Sequence, residues 1–218
     1  IATGPGSFFI SLITAWFLNE LSPRARSIVT FIFYAPSISG NAMLVWTLAF
    51  SGDSYGYVNG WLMKLGIISE PILWFTNTKY IMPLCIVVSL WMSLGTSFLA
   101  FIAGFQGINH DMYEAAAIDG IKNRWQELWY VTLPSMKPQL MFGAVMAITG
   151  AFNFGGVVES LAGNPTTDYC AYTLTMHLNE YSGVRWEVGY ASAIAFIMFL
   201  LMFGSNMLIH KLLSKVGQ

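Results

Sequence analysis

Long apolar runs alternate with short polar segments along the whole chain, at about Ile1 to Leu18, Ser27 to Phe50, Tyr80 to Phe105, Gln139 to Val158 and Val188 to Ile209. Each run is close to the ~20 residues that a helix needs to cross the hydrocarbon core of a bilayer. The pattern predicts an all-α, polytopic membrane protein whose five transmembrane helices form a single domain over residues 1–218. Residues 109–137, between the third and fourth runs, interrupt the pattern. They are polar, carry helix start and stop signals, and are expected to form a bent pair of helices at the membrane surface.

Asp111 and Glu114 stand three residues apart at the head of this loop, which is the spacing of a capping box. Asp111 is expected to cap the first turn while Glu114 reaches back to it, and Gly120 supplies the stop after about two turns. A second start signal follows at Asn123, with Gln126 three residues on. Its helix would carry Trp125, Leu128, Trp129 and Thr132 on one side and end at Leu133-Pro134, because a proline pushes the residue before it out of the helical region.

Within the spans, Pro36, Gly40 and Asn41 predict a kink in the second run, tolerated in a membrane where neighbours re-satisfy freed backbone groups. Ser89, Ser93, Gly95, Thr96 and Ser97 in the third run are small residues that let helices approach closely. In the fourth run Thr149, Phe152, Asn153 and Gly156 fall at helical spacing, and the period continues to Glu159 and Ser160. Such a stripe fits either a hydrogen-bonded helix interface or the wall of a polar solute pathway, in which a ring stacks on a sugar face and an amide bonds hydroxyls. Asn41, beside the expected kink, is a second pathway candidate. The segment Gly52 to Lys79 holds an amphipathic piece, Trp61 to Leu65, and Trp74, which suit an interfacial helix. In Leu161 to Glu187, His177 has no partner at ligand spacing and reads as a solvated loop histidine.

Composition sharpens this picture. Hydrophobic residues make up 56% of the 218 and charged residues 10%, against about 25% charged in soluble domains. A formal net charge of −1 without a basic patch argues against nucleic acid as a partner. Cys85 and Cys170 have no paired spacing that indicates a disulfide or a metal. Arg24, Arg26, Lys122, Arg124, Lys137, Lys211 and Lys215 fall on the side of the 109–137 loop, whereas Lys64, Lys79 and Arg185 fall on the other, so the positive-inside rule makes that loop cytoplasmic. The chain contains no phosphate-cradling G-x-x-x-x-G-K-[ST] and no catalytic constellation, so it is read as neither an enzyme nor an ATPase.

The loop resembles the EAA loop of ABC importer permeases through Glu114, Ala115, Ala116, Gly120, Leu133 and Pro134. It departs in having Val131 for Ile, and in the ten residues between Gly120 and Val131, one more than that pattern has. Ile118-Asp-Gly120, Ala151-Phe-Asn153 and Gly189-Tyr-Ala-Ser-Ala193 are similar to the carbohydrate-uptake branch. The resemblance implies a permease subunit of an ATP-driven importer in a bacterial or archaeal cytoplasmic (inner) membrane, carrying a sugar or oligosaccharide. It implies that Glu114, Ala115, Ala116, Asp119 and Gly120 dock on a separate ATPase, and that Trp125, Trp129, Leu133 and Pro134 anchor the second helix. ATP and Mg would sit on that partner, with no cofactor bound by this chain. A second, nonidentical permease subunit and an extracytoplasmic solute-binding protein would complete the assembly. The chain opens at Ile1 without Met, and the resemblance implies a further amino-terminal segment and a sixth helix. Two other readings stay open: an ABC permease for a non-sugar solute, and a secondary transporter or channel subunit, although the latter ordinarily needs ionisable residues inside its spans.

Overall fold

The computed structural model describes residues 2–214, so Ile1, where the first apolar run opens, and the basic Lys215 lie outside the described residues. In chain order the α-helices are α1 (Thr3–Asn19), α2 (Pro23–Ile38), α3 (Ala42–Ala49), α4 (Tyr57–Lys64), α5 (Thr78–Met92), α6 (Thr96–Gln106) and α7 (His110–Ile118). There follow α8 (Arg124–Glu127), a π-turn at Leu128–Thr132, α9 (Leu133–Ser135), α10 (Lys137–Phe152), α11 (Phe154–Ala162), α12 (Leu174–Asn179), a second π-turn at Glu180–Val184, and α13 (Val188–Leu213). The fold is all-α, with no strand among the described residues.

Three of the apolar runs are not continuous helices. The chain bends by 86° between α2 and α3, by 42° between α5 and α6, and by 41° between α10 and α11. Among the described residues only α13, at 26 residues, is long and apolar enough to cross a bilayer unbroken, and each bent pair reaches that length when taken as one span. The kink expected near Pro36 is therefore a full break: Pro36 stays inside α2, and Ser39 to Asn41 turn the chain. In the third run the break falls at Ser93 to Gly95. There the backbone carbonyl of Ser93 accepts from the hydroxyl of Ser11 on α1 at 3.3 Å, the kind of compensation that makes a break tolerable in lipid. Asn153, read as one position on a continuous helix, is the residue at which α10 stops and α11 begins, with φ −87° and ψ 5°.

Two apolar clusters hold these pieces together. At one end Ala15 and Leu18 of α1 pack with Phe98, Phe101 and Ile102 of α6 and with Leu140 of α10. Close approach there depends on Gly143: a Cβ at that position would stand 2.2 Å from Cζ of Phe101, so no larger residue fits without displacing the buried Phe101 ring. At the other end Ile81, Cys85 and Val88 of α5 meet Val158 and Leu161 of α11 and Met176 of α12. By contrast α2 buries none of its residues, and Phe31 and Ile32 are more than half exposed.

The segments between spans are built differently at the two ends. On the side of α4, the side chain of Asn59 is fully buried and acts as a hub. Its amide nitrogen donates to the carbonyls of Ser51 (3.1 Å), Asp53 (3.2 Å) and Ile72 (3.0 Å). Its oxygen accepts from the Ile72 N–H (3.2 Å) and from Nε1 of Trp74 (2.9 Å). Trp74 is thus locked into the loop, with its ring edge-on to Phe50.

Candidate functional site

The loop expected at 109–137 folds as a short free-standing helix, α7, followed by a second helical stretch that leads into α10. Asn109, not Asp111, caps α7: its side-chain oxygen accepts from the Asp111 N–H at 3.2 Å, and its amide donates to the Asp111 carboxylate at 3.0 Å. Glu114 does not reach back either. It faces His110, one turn earlier, at 3.2 Å. Asn109 wins because it stands in extended backbone immediately before the helix (φ −65°, ψ 131°), the geometry that aims a side chain at the first free N–H groups, whereas Asp111 is already helical.

The carboxyl end of α7 stops as the sequence indicates. Gly120 has φ +95°, the Ile121 N–H bonds the Ala116 carbonyl at 3.0 Å, and the Gly120 N–H bonds that of Ala117 at 3.3 Å. This is the Schellman arrangement, and it needs glycine for its conformation, since a Cβ there would meet nothing within 4 Å.

With both ends closed, α7 presents its face to the surroundings. Glu114, Ala115, Ala117, Asp119 and Gly120 are exposed, but Ala116 is turned inward and buried. The residue that sequence reasoning passed over is Ile118. It is 87% exposed at the end of a polar helix, where nothing in its own chain covers it. Its signal was a large apolar side chain two residues before the helix stop at Gly120.

Beyond Gly120, Asn123 caps α8 by accepting from the Trp125 N–H at 3.1 Å. The stretch does not end at Leu133-Pro134, as the proline suggested. A π-turn at Leu128–Thr132, in which the Leu133 N–H reaches the Leu128 carbonyl, carries the helix through Pro134 to Ser135. A wider turn suits an approaching proline, which has no N–H to complete an α-type bond and whose ring would press on the preceding turn. The side chains then divide between two faces. Val131 and Thr132 are buried and Leu128 packs on the core, whereas Trp129 and Tyr130 are more than 60% exposed. Trp125 is also largely exposed, yet its ring lies 4.9 Å from that of Trp16 near the end of α1. Arg124 beside it bridges Glu20 of the α1–α2 connection (3.0 Å) and Glu127 (3.0 Å).

The pathway candidates are not gathered into one site. Asn41 lines an open cavity of about 330 Å³ with Gly40, Met43, Leu44, Thr47, Met92 and Ser160. Thr149 spends its hydroxyl on the Val145 carbonyl (3.0 Å), and the carbonyl of Phe152 accepts from Thr175 (2.6 Å). Asn153 and Gly156 are exposed. What links the two groups is Ser160, which the helical period joins to Gly156 and the cavity joins to Asn41.

At the opposite end from α7, His177 lies half-buried on α12 and is not in a loop. Its ring is packed against those of Tyr181 (4.6 Å), Tyr172 (5.9 Å) and Tyr190 (5.9 Å). Beside it the Tyr172 hydroxyl donates to Glu180, which also accepts from Nε of Arg185 at 2.9 Å. Burial and that bond push the Tyr172 phenol from 10.0 up to about 12. The hydrogen bonds from Tyr172 and Arg185 hold Glu180 below the ordinary carboxylate value of 4.5. Among the described residues no group of three or more His, Cys, Asp or Glu side chains is placed to hold a metal ion.

Comparison with known proteins accords with this architecture. The chain is 31% identical over 198 residues to the probable ABC transporter permease protein YesP of Bacillus subtilis, covering 88% of this chain and 62% of that one. It is 28% identical to the arabinooligosaccharides transport system permease protein AraP of the same organism (88% and 61% covered) and 27% identical to the lactose transport system permease protein LacF of Rhizobium radiobacter (88% and 65%). The chain thus spans less than two thirds of the length of these relatives. A bacterial ABC transporter involved in the import of the acidic polysaccharide alginate shares the fold, with a TM-score of 0.81 at 22% identity, covering 97% of this chain and 73% of that one. The family described as binding-protein-dependent transport system inner membrane component matches residues 7–217, and the chain belongs to it.

Proposed function

We propose that this chain is the multi-pass permease subunit of an ATP-driven importer of sugars or oligosaccharides, and that α7 is the element by which a separate ATPase drives it. The observation that carries the reading is a helix closed at both ends, outside the apolar spans, with an uncovered face bearing Ile118, Ala115 and Glu114. An exposed large apolar side chain ringed by polar groups is the composition of a docking anchor. The short Ala115 permits close approach, and Glu114 and Asp119 offer charge-assisted bonds at the rim.

ATP and Mg belong on that partner, and this chain supplies no ligand for either. The second permease subunit is a different chain, which covers part of the apolar surface left open on this one. The solute-binding protein delivers at the end that carries α4 and α12. Sugar as the solute is supported by the names of the relatives and by the polar line Thr149, Asn153, Gly156, Ser160 and Asn41. The seven basic residues on the side of α7 make that side cytoplasmic in an inner membrane.

Substituting Ile118 with Asp tests the docking face. The substitution removes an anchor without touching a packed contact, so the subunit should fold as before. Retention of the co-expressed ATPase in a pull-down should fall about tenfold or more. Equal retention by native and Ile118→Asp subunits would remove α7 as the docking element, and a native subunit that retains no ATPase would sink the importer reading.

A further inference from the structure

Docking alone moves nothing; a force applied to α7 must reach the spans. The structure limits how this can happen. The main packing of α7 within its own chain is against the π-turn, and it includes one hydrogen bond between side chains. The phenol of Tyr113 lies 3.3 Å from the hydroxyl of Thr132, and that hydroxyl lies 3.2 Å from the Glu127 carbonyl. Thr132 has a single proton to give. If it donates to the carbonyl, Tyr113 must be the donor to Thr132, and the three groups form a directed chain. Burial raises the Tyr113 phenol above 10.0, in opposition to the pull of its bond to Thr132, so the donor keeps its proton at neutral pH.

The chain continues past Thr132. Glu127, whose carbonyl ends it, places its carboxylate on Arg124 (3.0 Å and 3.2 Å), and Arg124 extends to Glu20 (3.0 Å). One polar line therefore runs from the docking helix through the π-turn to the end of α1. The π-turn itself passes through α9 into α10. Thr132 is 4% exposed, so its hydroxyl has no water to exchange for a lost partner. Ser135, one turn on, adds a weak contact to the sulfur of Met112 at 3.8 Å.

Resting on the importer reading above, we infer that Tyr113 and Thr132 are positioning residues for energy coupling: their hydrogen bond is the joint that passes displacement of α7 into the π-turn and so into α10. Neither residue touches solute or ATP. Tyr113 stands one residue before Glu114, with its side chain directed inward, so it is separable from the docking face by mutation. Tyr113→Phe keeps the ring and removes only the bond. Thr132→Val removes it from the other side, and Thr132→Ser restores it.

The test uses the whole transporter, co-expressed and purified with its ATPase, held with Mg·ATP and vanadate, and read by amide exchange separately in residues 110–118 and 137–152. In the native assembly vanadate should change exchange in both segments. In Tyr113→Phe the ATPase should remain bound and the change in 110–118 should persist, while that in 137–152 shrinks about fivefold, within the range by which coupling networks respond to single substitutions. Thr132→Val should match it, Thr132→Ser should behave as native, and the double variant Tyr113→Phe with Thr132→Val should be no worse than either single one. A native-sized response in 137–152 from Tyr113→Phe with the ATPase bound overturns the joint and leaves the importer reading intact. A native complex without ATPase sinks that reading, and the joint with it.

Discussion

The polar segments at the two ends of this molecule solve opposite problems. At the end with α4 and α12 they are locked to themselves: Asn59 is fully buried and meets five backbone and side-chain partners, and Glu180 is held by both Tyr172 and Arg185. At the end with α7 the chain spends its hydrogen bonds on closing a helix and leaves the helix face uncovered. A loop that must keep a fixed shape for an approaching partner gains from an internal hub. A helix that must be gripped and moved gains from closed ends, an open face and few joints. On the importer reading proposed above, the difference in bonding is a difference in mechanical task.

The largest effect should come from breaking the lock. Asn59→Leu leaves the Ile72 N–H, the Trp74 indole N–H and three carbonyls short of a partner inside a closed loop, at a cost of roughly 4 kcal/mol. Thermal unfolding of the detergent-solubilised subunit should then shift down by roughly 10 °C. A shift of a degree or two would mean that water reaches the hub and that the loop is not locked.

The helix stop at Gly120 should be smaller in size and different in kind. Gly120→Ala forces a Cβ into a left-handed conformation at a cost of about 1 kcal/mol. Because α7 is a local unit, the loss should appear as about fivefold faster amide exchange over 113–118 with little change in the melting temperature. Gly120→Asn, which tolerates the left-handed region, should recover most of it. If the melting temperature fell as far as in Asn59→Leu, α7 would be part of the global core and the contrast between the two ends would fail.

Much of this architecture could be read from the chain, and what could not has a common cause. The apolar runs, the loop at 109–137 and the stop at Gly120 depend on local composition and backbone preference, and these are written residue by residue. The breaks at Ser39 to Asn41, Ser93 to Gly95 and Asn153 are tertiary: a helix can part at Ser93 because Ser11, far away in sequence, reaches its carbonyl. Asn109 and Asp111 are both capable caps, and only the backbone around them chooses. Thr132 looked like one face of a regular helix until the π-turn separated it from Trp129. Ile118 and His177 are ordinary letters whose meaning is exposure in one case and contact with three tyrosine rings in the other. Burial of this kind is a property of the assembled fold.

The smallest effect is a pH dependence confined to the second locked loop. Glu180 has a folded-state pKa below 4.5, so its contribution is present above that value and is lost as acid protonates it in the folded loop. Tyr172 has a folded-state pKa raised from 10.0 to about 12, so its contribution is present below 10.0 and is lost as base removes its proton across that window. The two signs together define a plateau. Amide exchange over residues 172–185, corrected for its intrinsic pH dependence, should be flat from about pH 5 to about pH 9 and loosen outside that range on both sides. Tyr172→Phe removes the donor and should abolish the alkaline edge while leaving a weakened acid edge, since Arg185 still holds the carboxylate. Protection that declined steadily between about pH 5 and about pH 9 would place the control on some other group and dissolve the Tyr172, Glu180 and Arg185 lock. It would leave Asn59 as the one fixed hub against which α7 could be compared.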